Sequence, residues 1–367
     1  MASTTTHPEF NDQTSALEVA KAFASGITGK TIIITGVNKN GIGFSTAEAF
    51  ASQSPAHLIL AGRNPSKIQE CIEALKSSYP TVNYRPLNLD LSSQKSVRTA
   101  ASELLYWSDI PTIDILINSA GVMNIPSRTL SEDGIELHFA TNHIGHFLFT
   151  NLIMPKLIAS ATAAAAAGTK GATRVINVSS LSPTFASMRW SDVNFDKVNK
   201  TLPEAEQPNY DVHRQWGTVS PEDASYLPLE GYNQSKVANI LFGIGLNSRV
   251  FEKHGILSVG LHPGIMQTEL SRSTSKETIE AVGALFASGM FKFRSLDQGA
   301  ATSLVAALDG GLRAGEGGGE GSGRENWGAY LVDCQINDRA NPLAVSSAEA
   351  ERLWGLSEEL VGEKFAW

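Results

Sequence analysis

Short apolar runs recur along the chain, each followed by a longer stretch with helical spacing. Ile32 to Ile34, His57 to Arg63, Val82 to Leu89, Ile113 to Ile117, Arg174 to Val178, Ile256 to Leu261 and Ala329 to Val332 read as strands. Several are continuous β-branched or aliphatic runs rather than alternations, the pattern of strands covered on both faces. Between them, Phe44 to Ala51, Pro65 to Ser78, Ser92 to Trp107, most of Ser131 to Leu157, Gly231 to His254 and Ser295 to Leu308 read as helices. Strands alternating with helices predict an α/β fold: a doubly wound parallel sheet with helices on both faces. Ligands in such sheets bind outside the carboxyl ends of the strands.

The pattern weakens at the start and in three internal stretches. Residues 1–29 read as a tail and a short helix. Met1 to Asp12 is polar and expected to be disordered, while Ser15 and Glu18 have the S-x-x-E spacing of a capping box before Leu17, Val19, Ala20 and Phe23. That helix is expected to cover the bottom or an edge of the sheet. Residues 30–367 form one domain with insertions. Ala159 to Gly171 is alanine-rich, and Leu181 to Pro228 holds prolines and aromatics with little periodicity. Gly310 to Gly323 is glycine-rich and expected to be a flexible surface loop.

Bulk properties narrow the classes. A chain of 367 residues with 42% hydrophobic content can build one large core. A net charge of −8 and a pI near 5.5 argue against nucleic-acid or membrane-surface partners, which call for a basic face. Cys71 and Cys334 have no metal or redox spacing, which suits a reducing compartment. Asn151 to Ala167 is broken by Pro155 and Lys156, and Ile240 to Leu246 is too short to cross a bilayer. The expectation is a soluble, cytoplasmic protein with no membrane span. His138, His143 and His146 lack a carboxylate or thiolate that would complete a metal set, so none is expected.

The first strand leads into Gly36, Gly41 and Gly43, and a helix follows. Glycines let backbone approach a pyrophosphate, and a helix start offers free N–H groups and a positive dipole end. The second strand ends in Arg63 with no acid nearby, and Lys39 sits inside the turn. An acid there would hold a ribose 2′-hydroxyl; cations suit a 2′-phosphate. NADP(H) is therefore expected over NAD.

Further ordered pieces follow: Thr35-Gly36 with Gly41-Ile42-Gly43, Asp90, Asn118-Ser-Ala120-Gly121, Asn142, Asn177-Val-Ser-Ser180, Tyr232-Asn-Gln-Ser-Lys236, and Pro263-Gly-Ile-Met-Gln-Thr268. Together they resemble the short-chain dehydrogenase/reductase family, from about Thr31 to Thr268. Leu137 to Phe149 looks like the retinol-dehydrogenase-like and WW-domain-oxidoreductase-like branch. Gly328 to Gln335 is similar to the ends of fungal members, which often serve secondary metabolism.

The chemistry of the set can be read directly. A carbonyl reduced by hydride needs a proton donor at its oxygen, and a free tyrosine, with a pKa of about 10, is sluggish near neutrality. Lys236, one helical turn from Tyr232, favours the phenolate. Ser180 would hydrogen-bond the substrate oxygen. The resemblance implies Ser180, Tyr232, Lys236 and Asn142 as the catalytic residues, Asn142 in a relay through water and Lys236. It places Lys236 on the nicotinamide ribose, Asp90 near the adenine and Thr268 near the carboxamide. Gly36, Gly41, Ile42, Gly43, Asn118, Ala120, Gly121 and Pro263 complete the implied cofactor contacts, with Lys39 and Arg63 at the phosphate and Tyr232 at the nicotinamide. Ser179 is expected to be structural.

Departures from the family pattern carry their own expectations. Four residues separate Gly36 from Gly41, one more than is usual, so the turn must bulge around Asn38, Lys39 and Asn40. The segment from Leu181 to Pro228 leaves one catalytic residue and returns beside the other. It is expected to wall or lid an apolar pocket through Phe185, Trp190, Phe195, Tyr210, Trp216 and Tyr226. The resulting reading is an NADP(H)-dependent oxidoreductase that interconverts a carbonyl and an alcohol on an apolar small molecule. The rivals are an NADP-binding regulatory or scaffold protein without turnover, and an epimerase or dehydratase using the same Tyr–Lys pair. Some relatives form homodimers through the helix carrying Asn142 and the helix carrying Tyr232, a surface that insertions here could block.

Overall fold

The computed structural model describes residues 4–289, 291–314 and 325–367. Strands β1 (Thr31–Thr35), β2 (His57–Gly62), β3 (Asn83–Asn88), β4 (Ile115–Asn118), β5 (Thr173–Val178), β6 (Ile256–His262), β7 (Tyr330–Val332) and β8 (Gln335–Ile336) form one sheet in the order β3-β2-β1-β4-β5-β6-β7-β8. All neighbours are parallel except the β7–β8 pair. The expected doubly wound α/β architecture is what the chain forms. The order reverses between β1 and β4, so the crevice for a ligand opens at their carboxyl ends.

The strand pattern explains the layers. Successive side chains of β1 point to opposite faces. Ile33 joins one core with Leu116, Val97, Phe147, Phe242 and Trp354, while Ile32 and Ile34 join the other with Phe50, Ile72, Ile117 and Leu304. The first face is covered by α4 (Gln94–Tyr106), α5 (Leu137–Phe139), α6 (Gly145–Leu152), α7 (Met154–Ala166), α9 (Pro228–His254) and α12 (Ser347–Val361). The second is covered by α1 (Ala16–Ala22), α2 (Ile42–Ala51), α3 (Pro65–Ser78) and α11 (Leu296–Leu308). Two more helices, α8 (Tyr210–Gln215) and α10 (Lys276–Ala287), lie in connections.

Several boundaries move for local reasons. The cap of α4 is Ser93, which accepts from the Ser96 N–H at 3.2 Å; Ser92 instead donates to Asp90 at 2.7 Å. The expected helix from Ser131 starts only at Leu137, because Ser131 and Ile135 close a turn first. Residues 140–144 then widen into a π-helical turn. Pro155 opens α7 rather than ending its predecessor, since proline fits a first helical turn whose N–H groups have no partner. β8, α8, α10 and α12 lie where no element was expected.

Residues 4–12, expected to be disordered, are docked. The Thr6 N–H donates to Asp309 at 2.7 Å, Gln335 reaches the carbonyl of Phe10 at 2.7 Å, and Phe10 is buried against His7 and Phe23. One buried ring and two buried acceptors outweigh the polar composition. Of the glycine-rich stretch, residues 315–323 lie outside the described residues. Among the described residues no single helix is long and apolar enough to cross a membrane. Both cysteines are buried thiols.

Candidate active site

Backbone at the carboxyl end of β1 makes a cradle. Gly36 has φ +75°, and a Cβ there would lie 2.5 Å from the Ala120 Cα; a Cβ on Gly43 would lie 2.8 Å from the Gly36 carbonyl oxygen. Only glycine fits either place. Gly41 is the extended N-cap of α2 with no side-chain cap, so the first N–H groups of the helix face the cleft unclaimed by side chains. The longer turn closes on Asn38, whose carbonyl accepts from the Gly41 N–H at 3.0 Å, and the Asn38 Oδ1 is buried without a partner. A pyrophosphate against glycine backbone and a helix start fits this cradle.

The two halves of the sheet are tied beneath it. The Thr35 hydroxyl accepts from the N–H groups of Ser119 and Ala120, each at 3.0 Å, and lies 2.9 Å from His146 Nε2. His146 Nδ1 lies 2.9 Å from the Asn142 carbonyl, an acceptor, so Nδ1 carries the proton and Nε2 receives the Thr35 proton. Burial pushes His146 down to about 4, which keeps it neutral.

The acid–base group sits on α9, where every residue from Glu230 to Leu246 is buried. Tyr232 and Lys236 share one face, with the ammonium 5.6 Å from the Tyr232 ring centre. Burial holds the Tyr232 phenol above its ordinary value and pushes Lys236 down to about 7. Lys236 donates one hydrogen bond, to the Val178 carbonyl at 2.8 Å. Ser180 follows β5 directly. Its Oγ donates to Ser182 Oγ at 2.7 Å and accepts from the Ser182 N–H at 3.0 Å. Ser179 turns away and donates to the Lys236 carbonyl at 2.6 Å.

One cleft of about 600 Å³ runs from the cradle to Tyr232. Gly36, Gly41, Ile42, Gly43, Arg63, Asp90, Ala120, Gly121, Ser180, Tyr232, Lys236, Pro263 and Thr268 all line it. Three expected residues do not. Lys39 is exposed on the outside of the bulged turn. Asn118 is fully buried and donates to Thr150 at 3.2 Å and Asn177 at 3.0 Å, cross-linking β4, β5 and α6. Asn142 lies one layer behind Gly121: its Oδ1 accepts from the Val122 N–H at 2.8 Å, and its Nδ2 donates to Ser235 at 2.9 Å. Asp90 also anchors the start of its loop by accepting from Ser92.

Some lining residues were not singled out from the sequence. Lys67, one turn after Arg63, lines the cleft and pairs with Glu269 at 2.7 Å; Arg272 stands on the same wall. The spacing of Arg63 and Lys67 was the available signal. Of the aromatics expected from the 181–228 segment, Phe185 and Trp216 line the cleft, joined by Val212 and Leu229. The other four do not line it: Trp190 donates to Glu349, Phe195 is buried under Arg189, Tyr210 donates to Gln207 at 3.1 Å, and Tyr226 donates to the Ile125 carbonyl at 2.8 Å.

Similarity to known proteins follows the same lines. Residues 30–191 match the family described as short chain dehydrogenase. Oxidoreductase fscI of Fusarium equiseti is 39% identical over 255 residues, covering 70% of this chain and 94% of its own. The chain belongs to the short-chain dehydrogenase/reductase family. The WW domain-containing oxidoreductase of Pongo abelii is 32% identical over 361 residues, covering 98% of this chain and 74% of its own. The crystal structure of L-sorbose reductase from Gluconobacter frateurii, complexed with NADPH and L-sorbose, has a TM-score of 0.52 at 18% identity. It covers 77% of this chain and 91% of its own, and shares the fold.

Proposed function

We propose that this member of the family is an NADP(H)-dependent oxidoreductase that interconverts a carbonyl and an alcohol on an apolar small molecule. The observation that carries the reading is the continuity of one cleft from a glycine-and-helix cradle to Tyr232, Lys236 and Ser180. Arg63 and Lys67 at the cradle's rim, with no acid at the end of β2, support NADP(H) over NAD. A solved structure of similar fold, L-sorbose reductase, was crystallised with NADPH. When bound, the reduced cofactor supplies the hydride.

The chain's own residues then do the following. The Gly36 turn and the start of α2 would hold the pyrophosphate. Lys236 donates to Val178, and its remaining donors would be available to a bound ribose. Tyr232, held protonated by burial, gives its proton to the carbonyl oxygen, and Ser180 hydrogen-bonds the same oxygen. Lys236 stabilises the phenolate left behind. Asn142 keeps α9 in register with the Gly121 turn through Ser235 and Val122. Phe185, Val212, Trp216, Leu229 and Phe291 in the cleft lining support an apolar substrate. The likeness of residues 328–335 to fungal relatives is what supports a place in secondary metabolism.

The test is fluorescence titration with NADPH and NADH, then NADPH consumption over a panel of apolar ketones and aldehydes. NADPH binding at least tenfold tighter than NADH, with turnover lost about 10²- to 10⁴-fold in Tyr232→Phe, is the expected result. Binding without turnover across the panel would favour the sensor reading instead.

A further inference from the structure

Ser180 does not stand alone. Its neighbours form a buried chain that reaches the inserted helix α8. Ser180 Oγ lies 2.7 Å from Ser182 Oγ, Ser182 Oγ lies 2.8 Å from Asn233 Oδ1, and Asn233 Nδ2 lies 3.0 Å from Glu230 Oε2. The same Glu230 oxygen lies 2.8 Å from His213 Nε2. All five side chains are buried.

The proton positions in this chain follow from what each group can do. A carboxylate oxygen only accepts, so Asn233 must turn its NH₂ toward Glu230 and its carbonyl toward Ser182. An amide carbonyl also only accepts, so Ser182 must give it its single proton. Ser182 then has no proton for Ser180, and the 2.7 Å contact between the two hydroxyls is donated by Ser180. The Ser182 N–H occupies one acceptor position of Ser180 Oγ at 3.0 Å. The remaining lone pair of Ser180 is the one that the Tyr232 phenol addresses in the cleft.

From this geometry we propose that Glu230, through Asn233 and Ser182, parks the Ser180 proton away from the substrate, so that the site receives the alcohol form more readily than the carbonyl form. The proposal rests on Ser180 meeting the substrate oxygen, as read above. An alcohol oxygen can accept from Tyr232 and donate its own proton into the Ser180 lone pair that Tyr232 releases. A carbonyl oxygen has no proton to give and must draw the Ser180 proton off Ser182. Glu230, Asn233 and Ser182 are positioning residues here. The amide of Asn233 does not pass a proton on, so the chain orients and does not conduct. His213, supplied by the insertion, completes the acceptor shell of Glu230 and makes the polarity of the catalytic serine depend on a segment remote from it in sequence.

The direct test is a neutron diffraction map of the perdeuterated, substrate-free protein. The expected result is a deuteron on Ser180 aimed at Ser182, one on Ser182 aimed at Asn233, and two on the Asn233 nitrogen. A Ser182 deuteron aimed at Ser180, or a Ser180 deuteron aimed into the cleft, overturns the proposal. The kinetic test uses Ser182→Ala, which removes the acceptor but keeps the backbone N–H bond. Acetophenone with 1-phenylethanol and decanal with 1-decanol serve as paired probes. The KM for the carbonyl should fall about three- to tenfold relative to that for the alcohol, the size of one hydrogen bond. Glu230→Met should shift the same ratio in the same direction, and the double variant no further, because both break one chain. An unchanged ratio in Ser182→Ala overturns the proposal. Turnover retained in Ser180→Ala would instead overturn the catalytic reading, and the neutron map would still decide the proton positions.

Discussion

At the residue scale, Lys236 shows what the site costs the fold. Its folded value near 7 lies below the 10.5 of a free lysine, and burial is the cause. Between those values the unfolded chain binds a proton that the folded chain lacks, so stability rises with pH across this window. Below about pH 7 the penalty is complete. Lys236→Met removes the buried amine at similar volume. Thermal unfolding should show the variant more stable than the parent at pH 7, with the gap narrowing toward pH 10, and turnover lost. A gap independent of pH would show that the lysine is not what is strained. Gly36 makes the complementary case. A Cβ there meets Ala120 at 2.5 Å on a backbone with positive φ. Gly36→Ala should weaken NADPH binding by tenfold or more in fluorescence titration while the far-UV spectrum persists; undiminished affinity would detach this turn from the cofactor.

At the element scale, the 181–228 segment mixes wall and foundation. Val212 and Trp216 of α8 and its cap reach the cleft, while Arg189 pairs with Asp192 at 2.6 Å and stacks over Phe195 beneath. Excising residues 194–216 would therefore strip core along with wall, and a point change isolates the pocket. Trp216→Ala should raise KM for a bulky aromatic ketone severalfold and leave NADPH affinity unchanged. A parallel loss of both would place Trp216 at the cofactor. This segment also marks where legibility ended. β1, β2 and α3 were readable because apolar runs and an Asn–Pro cap signal themselves locally. Tyr232 and Lys236 stand out in the sequence by a one-turn spacing and Ser180 by the family resemblance, and the structure lines all three along one cleft. Asn118 is expected at the cofactor, yet its amide is taken by Thr150 of α6 and Asn177 of β5, contacts made only by the fold. Lys39 was drawn outward by a turn whose extra residue had no determinate path. α12 was missed although Ser346 caps it at the Glu349 N–H and Ala350, Leu353, Trp354, Ser357 and Val361 keep helical spacing. Its apolar face is narrow, and what makes it a core helix is its contact with α9.

At the scale of the whole molecule, both ends of the described chain close the structure. Residues 4–12 seal the edge near β8, and α12 crosses α9, with Trp354 5.0 Å from Phe147 of α6 and 6.1 Å from Phe242 of α9. A Cβ on Gly245 of α9 would sit 3.2 Å from that indole, so the two helices meet closely. A pairing of two copies through the helices carrying Asn142 and Tyr232, as expected from some relatives, would use α6 and α9, and here part of that surface holds a helix of the same chain. Sedimentation should therefore give a monomer at all accessible concentrations, and a chain ending before Ser346 should self-associate or aggregate as Phe147 and Phe242 lose their cover. A stable full-length dimer would contradict this.

The arrangement also removes a dependence that assemblies of separate subunits carry. When the covering helix is tethered, its local concentration is set by the length of chain that joins it and not by how many copies are present. Mass action then has no hold on that one contact between α12 and α9. The α12 cover stays over Phe147 and Phe242 on dilution, where a cover lent by a second copy would come away.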